Sequence, residues 1–116
     1  MNKKQSKIAI EVRLDDSNVP ERIVWQASDG NSKWTEAKAF LLSIFDKESQ
    51  DTLKIDLWTK ELQVQEMDRF LYYTMRSMAD TYLKATQNAE LANAMQQFAA
   101  FFGEKTGLLR KSEPEK

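Results

Sequence analysis

The side chains that most often carry chemistry are missing from this sequence, which has no cysteine and no histidine among its 116 residues. Thiolate nucleophiles, Ser–His–Asp triads and zinc or haem sites built on these side chains are therefore excluded. Any reaction would depend on carboxylates, Lys, Tyr, Ser or Thr, which every soluble protein carries. The composition favours a binding or structural role, with no enzyme activity, no cofactor and no metal.

Two acidic segments have the oxygen-rich composition of a cation-binding loop. They are the turn 15–18 and the loop 46–51, and each begins with an aspartate, Asp15 and Asp46. Neither follows the EF-hand pattern, in which oxygen ligands alternate and a glycine stands at the sixth position. We therefore interpret both segments as solvated loops.

Arg76, Asp80 and Lys84 are spaced four residues apart in a segment with helical periodicity. A functional interpretation makes Asp80 a poised carboxylate. A surface charge ladder, worth a few tenths of a kcal/mol per pair, explains the same spacing and is favoured. Four methionines of the same region, interpreted as core rather than as an adaptable binding groove, are Met67, Met75, Met78 and Met95.

The charge distribution argues against nucleic-acid binding. The chain has 17 basic and 18 acidic residues, and its central part is acidic, whereas binding to phosphates needs a basic face. No apolar run approaches the ~20 residues of a membrane span. The basic N-terminus lacks the apolar core of a signal peptide. We expect a cytoplasmic protein.

The N-terminal half has the alternation of β-strands. Residues 7–14 and 21–28 each place apolar side chains on one face, with a turn between them. The run 37–46 fits either a buried strand or a short helix. A strand is favoured because residues 46–51 have the composition of a hairpin loop and are followed by the alternating segment 52–58. The apolar residues predicted to face inward are Ile8, Ile10, Val12, Leu14, Ile23, Trp25, Ala27, Leu53, Ile55 and Leu57.

The C-terminal half changes to helical periodicity. One helix is predicted from Val64 to Gln87, and Asn88 can cap a second helix that ends near Gly103 and Gly107. One continuous helix through Asn88 stays an alternative. The predicted core faces comprise Met67, Phe70, Leu71, Thr74, Met75, Met78, Tyr82 and Ala85 in the first helix and Leu91, Ala94, Met95, Phe98 and Phe102 in the second.

Strands followed by helices predict an α+β fold, a four-stranded antiparallel sheet followed by two C-terminal helices packed on one face. We expect a single domain over residues 7–106. Residues 1–6 and 107–116 are predicted to be a flexible N-terminus and a flexible C-terminal tail.

Some apolar residues are not needed by a single core. A sheet covered by helices on one side should be polar on the other, so apolar side chains there indicate a protein-contact surface. The alternative is that the loop 29–36, with Trp34, folds over this face. The candidate contact residues are Val24, Phe40, Leu42, Ile44, Trp58, Tyr72, Tyr73 and Leu83.

Four segments together resemble the gliding-motility-associated GldC family. They are Val19–Asp29, Lys38–Ser43, Leu53–Lys60 and Ser77–Thr86. The resemblance covers roughly residues 7–105 and brings no catalytic motif. It implies a cytoplasmic accessory of the bacterial gliding apparatus that assists motility and is not itself the motor. Together with the apolar second face of the segment 37–46, it leads to the hypothesis of a non-enzymatic protein that binds a protein partner in a gliding or secretion apparatus.

The predicted architecture is also similar, more loosely, to that of SecB-type export chaperones. Those proteins oligomerise and hold unfolded clients on apolar surface, which implies a homo-oligomer (dimer or higher) with chaperone-like binding. A third alternative is a small-ligand-binding protein or an enzyme with an interior pocket, in which Asp56 or Asp80 acts as an acid. A deep pocket that encloses a carboxylate would favour this last alternative.

Overall fold

The structure is a computed structural model and describes residues 4–109. The chain divides into two units, one ending at Leu62 and the other beginning at Gln63. Residues 1–3 and 110–116 lie outside the described residues, so most of the two predicted flexible segments is not covered. The predicted domain boundaries, and the packing of the helices on one sheet face, stay predictions.

In the described part of the first unit, from residue 4 onward, five antiparallel strands form two sheets. β1 (Ile8–Leu14), β2 (Pro20–Ala27) and β3 (Thr35–Ala37) form a three-stranded sheet in that order. β4 (Ala39–Phe45) and β5 (Thr52–Trp58) form a two-stranded sheet, which we call the ribbon. The α+β class is confirmed, but the prediction of one four-stranded sheet is wrong in detail.

The predicted strand 37–46 is divided because the chain changes its pairing partner at Lys38. Ala37 pairs with Ile23 of β2, whereas Ala39 pairs with Trp58 of β5. The residues before the break therefore form β3, in a segment that the sequence had suggested to be a loop. Only Ala37 of the predicted run lies in β3, so the apolar pattern of the run did not indicate the exchange.

The three-stranded sheet pairs the apolar faces that the alternation predicts. Ile10 lies opposite Trp25 and Val12 lies opposite Ile23. Ile23 is only 1% exposed and is the largest fully buried side chain of the described residues. The register shifts between Arg13 and Leu14, just before the turn into β2.

The register of the ribbon differs from the one that the sequence prediction assumed. Phe40 lies opposite Leu57, Leu42 opposite Ile55, and Ile44 opposite Leu53. Directly opposed residues point to the same side of an antiparallel pair. The prediction that placed Leu53, Ile55 and Leu57 inward and the β4 residues outward is therefore wrong. All six share one side, which we call the ribbon face: Phe40, Leu42, Ile44, Leu53, Ile55 and Leu57.

Two helices form the second unit, α1 (Val64–Thr86) and α2 (Ala89–Lys105). Gln87 takes a left-handed conformation with φ 63°, which ends α1. The Leu91 backbone N–H donates to Asn88 Oδ1 at 3.1 Å. The predicted Asn88 cap is confirmed, and the alternative of one continuous helix is excluded.

Small residues, rather than the predicted large ones, lie between the two helices. Ala92, Ala99 and Gly103 form one buried stripe on α2, and Ala79 is buried on α1. Small side chains let the backbones approach closely, so large side chains remain at the flanks. Large residues that the sequence placed in the core but that are about half exposed are Met78, Leu91 and Phe98.

Gly103 gives a test of this close approach. A Cβ atom at position 103 would lie 2.8 Å from Tyr72 Cε1 and 2.8 Å from Leu109 Cγ. We expect Gly103→Ala to lower the free energy of unfolding by about 1–3 kcal/mol through overpacking. At an open helix position the same change would raise it by about 1 kcal/mol. Urea unfolding followed by circular dichroism measures the sign, and a more stable variant would contradict the packing.

Candidate protein-contact surface

The ribbon face is apolar at every position and is only partly covered. Ile44 is 49% exposed, Leu53 56% and Ile55 50%, while the side chains of Phe40, Leu42 and Leu57 are half-buried. Three predicted contact residues, Phe40, Leu42 and Ile44, lie on it. The structure adds the three β5 residues to them.

The apolar surface continues from the ribbon onto the three-stranded sheet. A hollow of about 200 Å³ lies beside Phe40, which belongs to both surfaces. None of the described residues that line this hollow is charged or carries a side-chain hydroxyl or amide group. Its other lining residues are Ile8, Ile10, Ile23, Trp25, Ala37 and Ala39.

The opposite face of the three-stranded sheet has a different character. Val24 lies in a hollow there with Trp34, beside charged residues such as Glu11 and Arg22. The Arg22 guanidinium lies 3.8 Å from the Glu36 carboxylate. Trp34 therefore lies beside Val24, as the alternative of a covering loop expected. Val24 belongs to a largely charged face and is separate from the ribbon face.

The other predicted contact residues are not among the six that form the ribbon face. Trp58 is exposed on the opposite side of the ribbon, since it pairs with Ala39. Tyr73 is exposed, with the Arg69 guanidinium 5.1 Å from the centre of its ring. Leu83 is partly exposed in an open groove of the helical unit.

Tyr72 is the one predicted contact residue that is buried. Its exposed fraction is 5%, because its ring lies against Gly103 in the helix pair. The Tyr72 and Tyr73 rings meet edge to face with centroids 5.0 Å apart. Including Tyr72 in an accessible surface was therefore an error, because the core of α1 was assigned to a different arc, that of Met67 and Met78.

Asp80 lies in the open groove of the helical unit. Gln96 Nε2 of α2 donates to Asp80 Oδ1 at 3.3 Å and to the Arg76 carbonyl oxygen at 3.3 Å. The Arg76 guanidinium lies 5.8 Å from the centre of the Tyr72 ring. Asp80 therefore cross-links the two helices at the surface, and among the described residues its carboxylate lines an open groove.

The aspartates that begin the two acidic loops close their own turns. Asp46 Oδ2 accepts hydrogen bonds from the backbone N–H groups of Ser49 and Glu48, which lower the Asp46 pKa. Asp15 Oδ1 accepts from the N–H groups of Ser17 and Val19. Within residues 4–109 no three acidic side chains are grouped in a way that could hold a metal ion.

Asp15 also pairs with Lys60, which follows β5. The Lys60 ammonium group and the hydrogen bonds from Val19 and Ser17 lower the Asp15 pKa from its ordinary value of 3.8 to about 2. The same pair raises the Lys60 pKa. Because Asp15 directly follows β1 of the three-stranded sheet, this ion pair links the chain leaving the ribbon to the neighbouring sheet.

The sequence contained a signal for the three β5 residues that was not used. The backbone N–H of Asp46 donates to the Asp51 carbonyl oxygen at 2.9 Å and closes the hairpin loop. Counting outward from this pair places Ile44 opposite Leu53. The loop boundaries 46–51 were predicted correctly, so the register of the ribbon face followed from them.

The fold and the surface define a class: a small α+β protein with an open apolar face. The family model described as gliding motility-associated protein GldC-like matches residues 20–108, and the chain belongs to this family. The resemblance found in the sequence is therefore confirmed. No curated protein and no solved structure matches the chain. In the part of the chain described, neither helix has the length and apolar character needed to cross a membrane.

The Asp15–Lys60 pair predicts a specific pH dependence. The pKa of Asp15 is lower in the folded state than in the unfolded state, so the charged carboxylate stabilises the fold at any pH above the unfolded pKa. This stabilisation is lost as the pH falls from about 4 to about 2. Asp15→Asn keeps an oxygen for the turn but removes the charge. We expect its urea midpoint to be below wild type at neutral pH and the difference to close over that acid range. A difference that does not change with pH would contradict this role.

Proposed function

We propose that the protein is a non-enzymatic, cytoplasmic accessory of bacterial gliding motility that acts by protein–protein binding. Its partner is a protein of the gliding or secretion apparatus, its binding surface is the ribbon face, and it acts as a homo-oligomer. Family membership supports the process. The exposure of Ile44, Leu53 and Ile55 supports the mode of action.

Exposure of the ribbon face to water does not stabilise a two-stranded ribbon. An isolated two-stranded hairpin is marginally stable at best, and covering a half-exposed Ile or Leu contributes roughly 1 kcal/mol. Large apolar patches on soluble proteins usually mark contact sites. A protein partner that covers the ribbon face would gain this free energy from several side chains at once.

The chemistry of the surface favours a protein over a small molecule. A small-ligand site needs a few polar groups that fix the orientation of the ligand, and the hollow beside Phe40 is lined by apolar residues only. The ribbon face likewise consists of aliphatic and aromatic side chains. Such a surface supports non-directional contact with another apolar protein surface, and it supports no acid–base chemistry.

A holding chaperone of the SecB type would use the same apolar residues. It differs in its clients, because it would bind many unfolded chains, whereas the proposed accessory binds one component of the apparatus. Membership of a motility family favours the single partner. Suppression of the aggregation of unrelated unfolded proteins by the purified protein would favour the chaperone instead.

Two neighbouring residues of β4 allow a matched test in cells. Ile44 lies on the ribbon face, whereas Phe45 lies on the other side of the strand and is more exposed, at 68% against 49%. A lysine at position 44 would bury an unpaired charge in the contact, which costs about 3 kcal/mol or more and weakens binding about a hundredfold. We expect cells with Ile44→Lys to stop gliding while those with Phe45→Lys glide.

Immunoblotting and circular dichroism of both variants control for expression and folding, since both side chains are already partly in water. Normal gliding with a folded Ile44→Lys protein would contradict the ribbon face as the functional surface. Loss of gliding in both variants would place the function outside this face.

A further inference from the structure

The outer edge of β5 has the features of a strand that pairs with another strand. Within residues 4–109, β4 is the only strand hydrogen-bonded to β5. The register between them runs from Thr52 to Trp58 without a shift, and the strand contains no proline. Six of the seven β5 residues are exposed. The edge therefore lacks the bulge or proline that usually protects an open strand.

The hydrogen-bonding pattern shows which backbone groups are directed to the open edge. Asp46 N–H donates to the Asp51 carbonyl, and Thr59 N–H donates to the Lys38 carbonyl. Because hydrogen-bonded pairs alternate along an antiparallel ladder, the odd-numbered β5 residues bond to β4. The residues whose backbone groups point outward are Thr52, Lys54, Asp56 and Trp58.

We propose that two copies of this chain pair through β5, antiparallel and symmetric about Ile55, with Lys54 of each copy opposite Asp56 of the other. In this register Thr52 of one copy lies opposite Trp58 of the other, and Leu53 lies opposite Leu57. The hydrogen bonds between the copies then use only the backbone groups that point outward from β5. The result is a four-stranded sheet with the strand order β4, β5, partner β5, partner β4. The inference rests on the homo-oligomer named in the proposed function.

Charge selects this register over its neighbours. Lys54 and Asp56 lie on one side of β5, and their charged atoms are 3.1 Å apart within one chain. A shift of two residues in one direction opposes Lys54 to a second Lys54, and a shift in the other opposes Asp56 to a second Asp56. Like charges directly opposite are destabilising. A shift of one residue would move the ribbon-face side chains to the wrong side of the sheet.

The other open strands are less suited to symmetric pairing. Symmetric pairing of β1 would place Glu11 opposite a second Glu11, and the register shift at Leu14 interrupts that strand. β4 carries no charge that could select a register. Its first residues, Ala39 and Phe40, also lie beside Ile8 and Ile10 of the three-stranded sheet. β5 alone combines an open edge with self-complementary charges.

Pairing through the edge leaves the ribbon face free for a partner protein. Both copies would present this face on the same side of the new sheet, because the alternation continues across the shared edge. The apolar area offered to a partner would then double. Trp58, which is exposed in the single chain, would lie against Thr52 of the second copy.

Disulfide trapping tests the pairing directly, because the chain has no native cysteine. In this register the two Ile55 residues form a non-hydrogen-bonded pair with Cα atoms about 4.5 Å apart, which a disulfide can bridge. Leu42, which lies opposite Ile55 on β4, is the matched control. Its two copies would be about 14 Å apart, three strand spacings. We expect purified Ile55→Cys to form a covalent dimer under mild oxidation and Leu42→Cys to stay uncross-linked.

Changing the charges at Lys54 and Asp56 gives a second test of self-association, and a folding defect cannot produce the result expected for the mixture of variants. Lys54→Glu or Asp56→Lys alone should weaken self-association about tenfold or more, since each creates two like-charge pairs. A 1:1 mixture of the two variants restores opposite charges at both pairs, so heterodimers should form with the wild-type affinity. Sedimentation velocity measures both results.

Several results would overturn the inference. They are an Ile55→Cys protein that stays monomeric, cross-linking of Leu42→Cys to the same extent, and a mixture that associates no better than the single variants. Because these measurements use purified protein, such a failure is distinct from a failure of partner binding. Partner binding is judged by gliding of the Ile44→Lys cells.

Discussion

A two-stranded antiparallel ribbon cannot bury its own side chains, and the rest of this structure depends on that constraint. Strands β4 and β5 place Phe40, Leu42 and Ile44 beside Leu53, Ile55 and Leu57. One side of the ribbon is therefore wholly apolar, and half of its positions are about half exposed. Two strands supply too little backbone pairing to be stable alone. Contact with other surfaces is thus a physical requirement of the ribbon as well as the basis of its proposed activity.

Local polar interactions hold this apolar surface in place. Asp46 closes the hairpin loop that sets the ribbon register, and Asp15 closes the β1–β2 turn while its second oxygen binds Lys60. The carboxylates that first suggested chemistry therefore organise turns. In the helical unit, the small residues Ala92 and Ala99 let the two helices pack closely. Polar side chains therefore fix the turns of the first unit, and small apolar side chains form the contact between the two helices of the second.

Local patterns in the sequence predicted much of the fold. The strand 52–58, the loop 46–51, the Asn88 cap and the α+β class were all correct, because each depends on neighbouring residues. The errors concern which segments and which faces pair. Alternation cannot show that the chain exchanges partners at Lys38. Alternation alone also does not place Leu53 on the side of Ile44, which follows only when the pairs are counted outward from the hairpin loop. Periodicity alone does not show which arc of α1 packs against α2, which is why Tyr72 was placed at the surface.

The central claim is that the ribbon face contacts another protein in the cell, and site-specific photo-crosslinking tests it most directly. A photoreactive phenylalanine analogue at position 44 would stand on the ribbon face, and the same analogue at position 45 would stand on the other side of β4. The account predicts, in gliding cells, a covalent adduct with a different protein from position 44 and little or none from position 45. No adduct from position 44, or equal yields from both positions, would contradict it.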